Sequence, residues 1–435
     1  MTPIPTNRAT FTLAQVAEHT GGRVVGDPAR VIHGVCTDSR QATQHSLFVA
    51  LRGEHHDAHA FVASVADIGA AAMVERGRGE AAADRIEVDD TLVALGDLAR
   101  AHRRAWTGTL VAITGSAGKT STKELTAAAI AGAGKRVRAT VGNLNNRIGV
   151  PMTLLTLEPD DEVAVVEMGT SEPGEIAELA RIGEPDVALV TCVAVAHTEG
   201  LGDVDAVGRE KRALLVEGAT TIVNADDPQL RDRGKLSFGT KGDVAILDWA
   251  VEREHTRGVF EVAGTRLEAR LRLVGEAAVR NAAAALAIAH ALGLDLHSAA
   301  EGMERVEPVK GRMRPIVVGD VLILDDTYNA NPASTTLALE TAARIAKRRG
   351  AALRAVLGDM KELGAQSAAA HRDVRALAES LCAEVVFVGP EMAAIGPAVA
   401  DADDVEVTRA GVILVKGSRS MRMERVVDRL AGAGA

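Results

Sequence analysis

Two rhythms of apolar and polar positions alternate along this 435-residue chain. Short β-branched runs bracketed by Gly, Asp or Asn predict buried strands, and apolar residues spaced three or four apart predict helices. Near the start, FTLAQVAEHTGG reads as a helix stopped by Gly21–Gly22, while VIHGVCTDSR and HSLFVALRG read as short strands. The patch Arg76–Arg85, rich in Gly, Ala and Arg, reads as a loop or weak helix, and DDTLVALGDLARAHRRAW as a helix. From Thr109 the order becomes strand (TLVAIT), glycine loop (GSAGKT) and helix (STKELTAAAIAGAG). VAVVEM, VALVTCV and TTIVNA continue as strands, with GEIAELARIG and GREKRALLVEGA as helices between them. Such alternation predicts a parallel, doubly wound sheet. Residues 235–275 shift to short alternating strands before the helix VRNAAAALAIAHALG. Beyond PVKGRMRP, the runs VLILDDTYN, LRAVLGDM, EVVFVG and VILVKGS predict a second α/β unit. Divisions at 1–90, 91–312 and 313–435 follow, and the length agrees with three domains at roughly 150 residues each.

Composition narrows the function classes. Hydrophobic residues at 47% and charged residues at 25% describe a globular protein with real cores. A formal charge of −10 and only nine aromatic residues argue against nucleic-acid binding and against attraction to an anionic membrane. No apolar run approaches the ~18 residues of a membrane span, and the N-terminal segment lacks the apolar stretch of a secretory signal. Cys36, Cys192 and Cys382 lie far apart without metal or redox spacing, which points to reduced thiols and a cytoplasmic location.

The strongest chemical signal is TGSAGKTS. Gly115 and Gly118 free the backbone so that the N–H groups of Ser116, Ala117 and their neighbours converge on an anion. Lys119 supplies a point charge for terminal phosphates, Thr120 a hydroxyl for Mg²⁺, and the helix from Thr120 and Ser121 its positive dipole end. Ile113 stands where the longer phosphate-loop motif has its first Gly, so this is a shorter variant. Around it, Glu167 ends a strand where a doubly wound sheet collects ligands, and a carboxylate there suits either Mg²⁺ or solvent. Taken alone, His197 reads as a structural residue after another strand and Lys211 as a solvated helical lysine. ILDDTYNANPAST places Asp325, Asp326, Tyr328 and Asn329 in a polar loop beyond an apolar run, and Gly311 lets Arg312 approach a phosphate. Ten Lys against 39 Arg make each lysine a place where a primary amine could be wanted.

TGSAGKTSTKE, NLNNRIGVPMTLL, EMGTSEPGEI, AHTEG, DDTYNANPAS, LGDMKELGAQSAAAH and LVKGSR together resemble the ATP-dependent Mur ligases over nearly the whole chain, TDSR and LFVALRGEHHDAHAF included. YNANP with LGDMKELG resembles the branch that makes the last cytoplasmic peptide addition to the peptidoglycan precursor. The resemblance implies a small α/β UDP-binding N-terminal domain, a central phosphate-loop ATPase domain and a Rossmann-like α/β C-terminal domain. It implies two small-molecule substrates, UDP-N-acetylmuramoyl-tripeptide and D-alanyl-D-alanine, joined through an acyl phosphate by a monomeric enzyme. By residue match, Lys119 and the loop amides bind phosphates, Thr120 and Glu167 hold one Mg²⁺, and His197 helps place a second. Lys211 matches the family's carbamylated lysine, whose carbamate is an oxygen ligand for Mg²⁺ that Arg could not provide. Asn281 matches a family Asn near the adenine, Arg312 would reach the γ-phosphate side, and Asp326, Tyr328 and Asn329 would contact the nucleotide from the third domain. Ser39 and Arg40 match the uridine-diphosphate site. The chain departs from the family pattern at Ala277–Ala278 (often His-Asn), at Arg212–Ala213 (commonly Gly-Glu) and at Lys310 (often Pro). Two competing readings are a related ligase, such as a folylpolyglutamate synthase or the ligase adding the third stem residue, and a nucleotide-binding scaffold without chemistry.

Overall fold

The structure is a computed structural model that describes residues 3–432, except 54–55, 196–197, 253–254 and 407–410. Among the described residues the strands fall into three blocks along the chain. The first holds β1 (Thr10–Thr12), β2 (Arg23–Val25), β3 (Val31–His33), β4 (Val35–Cys36), β5 (Leu47–Val49), β6 (Ala71–Glu75) and β7 (Arg85–Val88). β1 and β3 pair antiparallel, and the other five form a sheet ordered β2-β7-β6-β5-β4, parallel except for β2. The helix Leu13–Thr20 begins at a capping box on Thr12 and stops at left-handed Gly21, as its sequence predicts.

The second block contains β8 (Thr109–Thr114), β9 (Val137–Ala139), β10 (Val163–Glu167), β11 (Val187–Val190), β12 (Thr220–Asn224), β13 (Leu236–Gly239), β14 (Val244–Glu252), β15 (His255–Val262) and β16 (Thr265–Leu271). They form a nine-stranded sheet ordered β16-β15-β14-β13-β12-β11-β8-β10-β9, parallel from β9 through β14 and antiparallel at β14-β15-β16. β8 lies between β10 and β11, so the chain leaves it toward opposite sides of the sheet. In a doubly wound sheet, that reversal opens a crevice at the carboxyl ends of the strands. Although the middle of β8 is apolar throughout, its residues divide strictly by face. Leu110 and Ala112 join the core beneath the helices Thr91–Ala105, Gly149–Leu154 and Glu175–Gly183. Val111 and Ile113 join the opposite core with the helices Lys119–Gly132 and Glu276–Ala291. The latter helix is buried all round from Ala282 to Ala289, which its small side chains permit.

The third block contains β17 (Arg314–Val318), β18 (Val321–Asp326), β19 (Leu353–Gly358), β20 (Glu384–Val388) and β21 (Val412–Lys416), ordered β17-β18-β21-β19-β20. Only the edge strand β17, which the apolar pattern did not mark, runs antiparallel. The molecule is therefore α/β with mostly parallel sheets, the class the sequence predicts. The junctions differ in kind. One continuous core includes Phe11, Leu47 and Ile86 of the first block together with Leu110, Val166 and Leu179 of the second, whereas the third block packs around two further cores, one of which also takes in Val251 and Val274 of the second. The helix Thr91–Ala105 is fastened to the central block by ion pairs Arg100–Glu184 (2.6 Å) and Arg103–Asp186 (2.7 Å).

Residues 76–84 form turns between β6 and β7, the loop of the two alternatives the sequence left open. One local expectation differs from the structure. The helix expected at GREKRALLVEGA instead spans Val204–Arg212: the Asp203 side chain caps its start by accepting the Ala206 N–H (2.7 Å). Leu214 packs into the core in place of extending that helix.

Candidate active site

The crevice at the end of β8 is a cavity of about 1160 Å³ between the central and C-terminal sheets. Ser116 to Ser121, Asn145, Glu167, Asn281, Arg312, Asp326, Tyr328, Asn329 and Lys416 are among the residues that line it. The loop after β8 needs its glycines. Gly115 has φ +148°, and a Cβ there would collide with Thr191 Oγ1. Gly118 has φ +82°, and a Cβ would lie 2.6 Å from Asn281 Oδ1. Hydrogen bonds tie the loop to the chain leaving β11. Thr191 Oγ1 donates to the Ala117 carbonyl (2.6 Å), the Ser116 N–H to the Cys192 carbonyl (2.9 Å), and the Ala194 N–H to Ser116 Oγ (3.0 Å).

Lys119 folds back so that Nζ donates to the Gly115 carbonyl (2.6 Å). Burial pushes its ammonium group below the usual lysine range, with Glu167 opposing that shift and Arg312 adding to it. Beside it, Thr120 Oγ1 and Glu167 Oε2 are both buried and neither has a hydrogen-bond partner. The other carboxylate oxygen of Glu167 accepts Asn145 Nδ2 (2.7 Å), and the Glu167 N–H donates to Thr140 Oγ1 (3.0 Å). Polar atoms stripped of water and left unpaired are expensive, so this pair marks a place built for a missing partner.

Lys211 does not line the cavity, yet it is fully buried near the end of its helix with Nζ unpartnered. Burial first, and then the Lys119 ammonium, bring its pKa down to about 7, while Glu210 opposes the shift. A lysine near neutrality is a nucleophilic amine and not a fixed charge. The solvated helical lysine of the residue-only reading is not what the structure contains.

From the C-terminal side, the Arg312 guanidinium stacks 4.0 Å from the Tyr328 ring centroid. Lys416 Nζ holds the polar loop by donating to Asp326 Oδ2 (2.6 Å) and to the Asn329 carbonyl (2.9 Å). Asn281 Oδ1 accepts the Thr122 hydroxyl (3.2 Å), and Ala277 and Ala278 present small apolar surfaces beside it. Ser39 and Arg40 are not brought here. They sit on the short turn Ser39–Gln41 of the first block, where exposed Arg40 pairs with Asp38 (2.6 Å) and helps hold that carboxyl down at about 2. His197 lies outside the described residues. Asn145 and Lys416 belong to the site but were not singled out from the sequence, although an Asn-rich loop and a lysine ending an apolar strand were visible signals.

Comparison with known proteins decides the family. Residues 113–289 match the Mur ligase middle domain, and residues 311–433 the Mur ligase, glutamate ligase domain. The UDP-N-acetylmuramoyl-tripeptide–D-alanyl-D-alanine ligase of Escherichia coli (strain K12) is 35% identical, covering 97% of this chain and 99% of that protein. The chain belongs to the Mur ligase family. Within the Mur ligases it falls among the D-alanyl-D-alanine-adding members: the Bacillus subtilis (strain 168) enzyme of that name is 31% identical over 96% of this chain and 98% of its own. A crystal structure of MurF from Acinetobacter baumannii matches with TM-score 0.88 at 32% identity, covering 99% and 100% of the two chains. MurF from Thermotoga maritima in complex with ADP matches with TM-score 0.82 at 29% identity, over 92% and 97%. This Mur ligase is an ATP-dependent ligase of peptidoglycan synthesis.

Proposed function

We propose that this Mur ligase joins D-alanyl-D-alanine to UDP-N-acetylmuramoyl-tripeptide with ATP, as a cytoplasmic monomer acting on small molecules. The observation that carries this reading is the glycine loop of Gly115–Ser121, set beside the unpartnered oxygens of Thr120 and Glu167 in a cavity whose far wall is the C-terminal domain. A carboxylate does not acylate an amine at neutral pH. Phosphorylating it makes a leaving group, and the dipeptide's free amine then displaces phosphate through a tetrahedral intermediate.

Both steps bring anions together, so fixed dipoles and cations must absorb the charge. The backbone N–H groups of residues 115–121 and the Lys119 ammonium would hold the β and γ phosphates. Arg312 reaches the γ-phosphate side, Asp326, Tyr328 and Asn329 the rest of the nucleotide, and Asn281 the adenine end. Ala277 and Ala278 give the adenine shape and apolar contact without hydrogen bonds. Ser39 and Arg40 bind the uridine diphosphate.

Thr120 Oγ1 and Glu167 Oε2 fit Mg²⁺, a hard cation that takes a carboxylate, a hydroxyl and phosphate oxygens together. When bound, Mg²⁺ would neutralise charge developing on the transferred phosphoryl group. Lys211, as its carbamate, and His197 would hold a second ion. The amine near pKa 7 is the form that adds CO₂.

A test is phosphate release from ATP with UDP-N-acetylmuramoyl-tripeptide and one of three amines: D-alanyl-D-alanine, a diamino acid or glutamate. Turnover with the dipeptide alone is expected. A preference for either amino acid assigns the chain to another branch, and no turnover with any of them favours a scaffold.

A further inference from the structure

The segment LGDMKELG and the residues following His197 meet across the domain boundary, outside the nucleotide chemistry. The Thr198 hydroxyl, on a residue only 4% exposed, donates to the Leu363 carbonyl (3.1 Å), and the Glu199 N–H donates to the Glu362 carbonyl (3.1 Å). Two residues of this turn have left-handed backbones, Glu362 with φ 65° and Gly364 with φ +53°. A Cβ on Gly364 would come within 3.3 Å of Glu199 Cα, so glycine permits the close approach. Non-Gly residues hold such conformations only where their surroundings impose them.

The surroundings do. The fully buried Asp359 carboxylate accepts the N–H groups of Glu391 (3.2 Å) and Met392 (3.0 Å) and the Lys361 ammonium (2.8 Å). His371, also fully buried, accepts the Met360 N–H at Nε2 (2.9 Å), leaving Nδ1 to face the Ser367 carbonyl (2.8 Å). The turn is thus a stiff knob whose shape is set within the C-terminal domain. On the other side, Gly200 abuts the Ser171 carbonyl, in the turn just after Glu167. Directly beyond the knob, Ala365, Gln366 and Ala369 line the nucleotide cavity.

We propose that the Glu362–Gly364 knob seated on Thr198–Glu199 is the latch that holds the C-terminal domain over the nucleotide, with Thr198 as a positioning residue. The latch rests on the ligase reading for its purpose. Its geometry is independent of which amine is used. A buried hydrogen bond of this kind shifts a closed–open equilibrium about three- to tenfold.

The test uses full-length Thr198→Val, which removes the hydroxyl at nearly constant shape, and Thr198→Ser, which restores it. Small-angle X-ray scattering with and without ADP and Mg²⁺ reads domain closure, and ligation kinetics read its consequence. Thr198→Val should lose most of the nucleotide-induced compaction and lower kcat about three- to tenfold, with Thr198→Ser recovering both. Wild-type compaction and kcat in Thr198→Val, or no recovery in Thr198→Ser, would overturn the latch. Should Thr198→Val fail to fold, Gly364→Ala must show the same loss, and wild-type behaviour there refutes the proposal. A wild-type protein that compacts with ADP but ligates no dipeptide sinks the functional reading and leaves the latch standing.

Discussion

Replacing Lys211 with Met should make the protein more stable and inactive. The amine is fully buried, has no hydrogen-bond partner and has its pKa lowered from 10.5 to about 7. Because the folded pKa lies below the unfolded one, the unfolded chain binds more protons between pH 7 and 10.5, and wild-type stability rises with pH across that window. At about 1.4 kcal/mol per pKa unit, holding the amine in the fold costs about 4 kcal/mol at pH 7 and about 1 kcal/mol at pH 9.5. Met keeps the volume and removes the titrating group, so the urea midpoint of Lys211→Met should exceed that of wild type at pH 7. The advantage should shrink by about 3 kcal/mol at pH 9.5. CO₂-free buffer is needed, because a carbamate would replace the amine whose cost is being measured. Equal midpoints at pH 7, or an advantage that does not depend on pH, would refute the account of Lys211 as a neutral buried amine. A more stable variant that still ligates would refute its role in the reaction, since destabilising groups persist where function requires them.

The other predictions are more local. Lys119→Ala should abolish ATP-driven ligation, lowering turnover at least 100-fold in a phosphate-release assay, because it removes the ammonium folded onto the loop. Gly115→Ala drives a methyl group into Thr191 and should weaken ADP binding tenfold or more by calorimetry while the C-terminal domain unfolds normally. Lys416→Met leaves Asp326 without its 2.6 Å partner in a mostly buried setting, costing about 3 kcal/mol of C-terminal domain stability and raising KM for ATP. Added bicarbonate should stimulate ligation most below pH 7, where the Lys211 amine is mainly protonated, and little above pH 8. Stimulation that grows with pH would contradict this.

The linear pattern already determined a good deal. Strands such as β8 and β10 were legible because four consecutive apolar residues between turn signals have few other fates, and the glycine loop because Gly-Lys-Thr at a strand–helix junction carries its own mechanics. Family resemblance supplied roles for Lys211 and Asn281 that residue types alone left open. Boundaries were less legible: Asp203 starts a helix through a side-chain cap, and Leu214 leaves it for a core assembled from distant segments.

What tertiary structure alone decided is the company each group keeps. Lys211 looked like a solvated helical lysine, and only its burial in the assembled fold, with the Lys119 ammonium nearby, brings its pKa down to about 7. Lys416 and Asp326 lie 90 positions apart, yet parallel pairing of β18 with β21 sets them side by side. Periodicity along the chain specifies which face a residue presents to a core, because that depends on neighbours a few positions away. Desolvation and charge pairing depend on groups from remote segments, which come together only when the sheets are assembled.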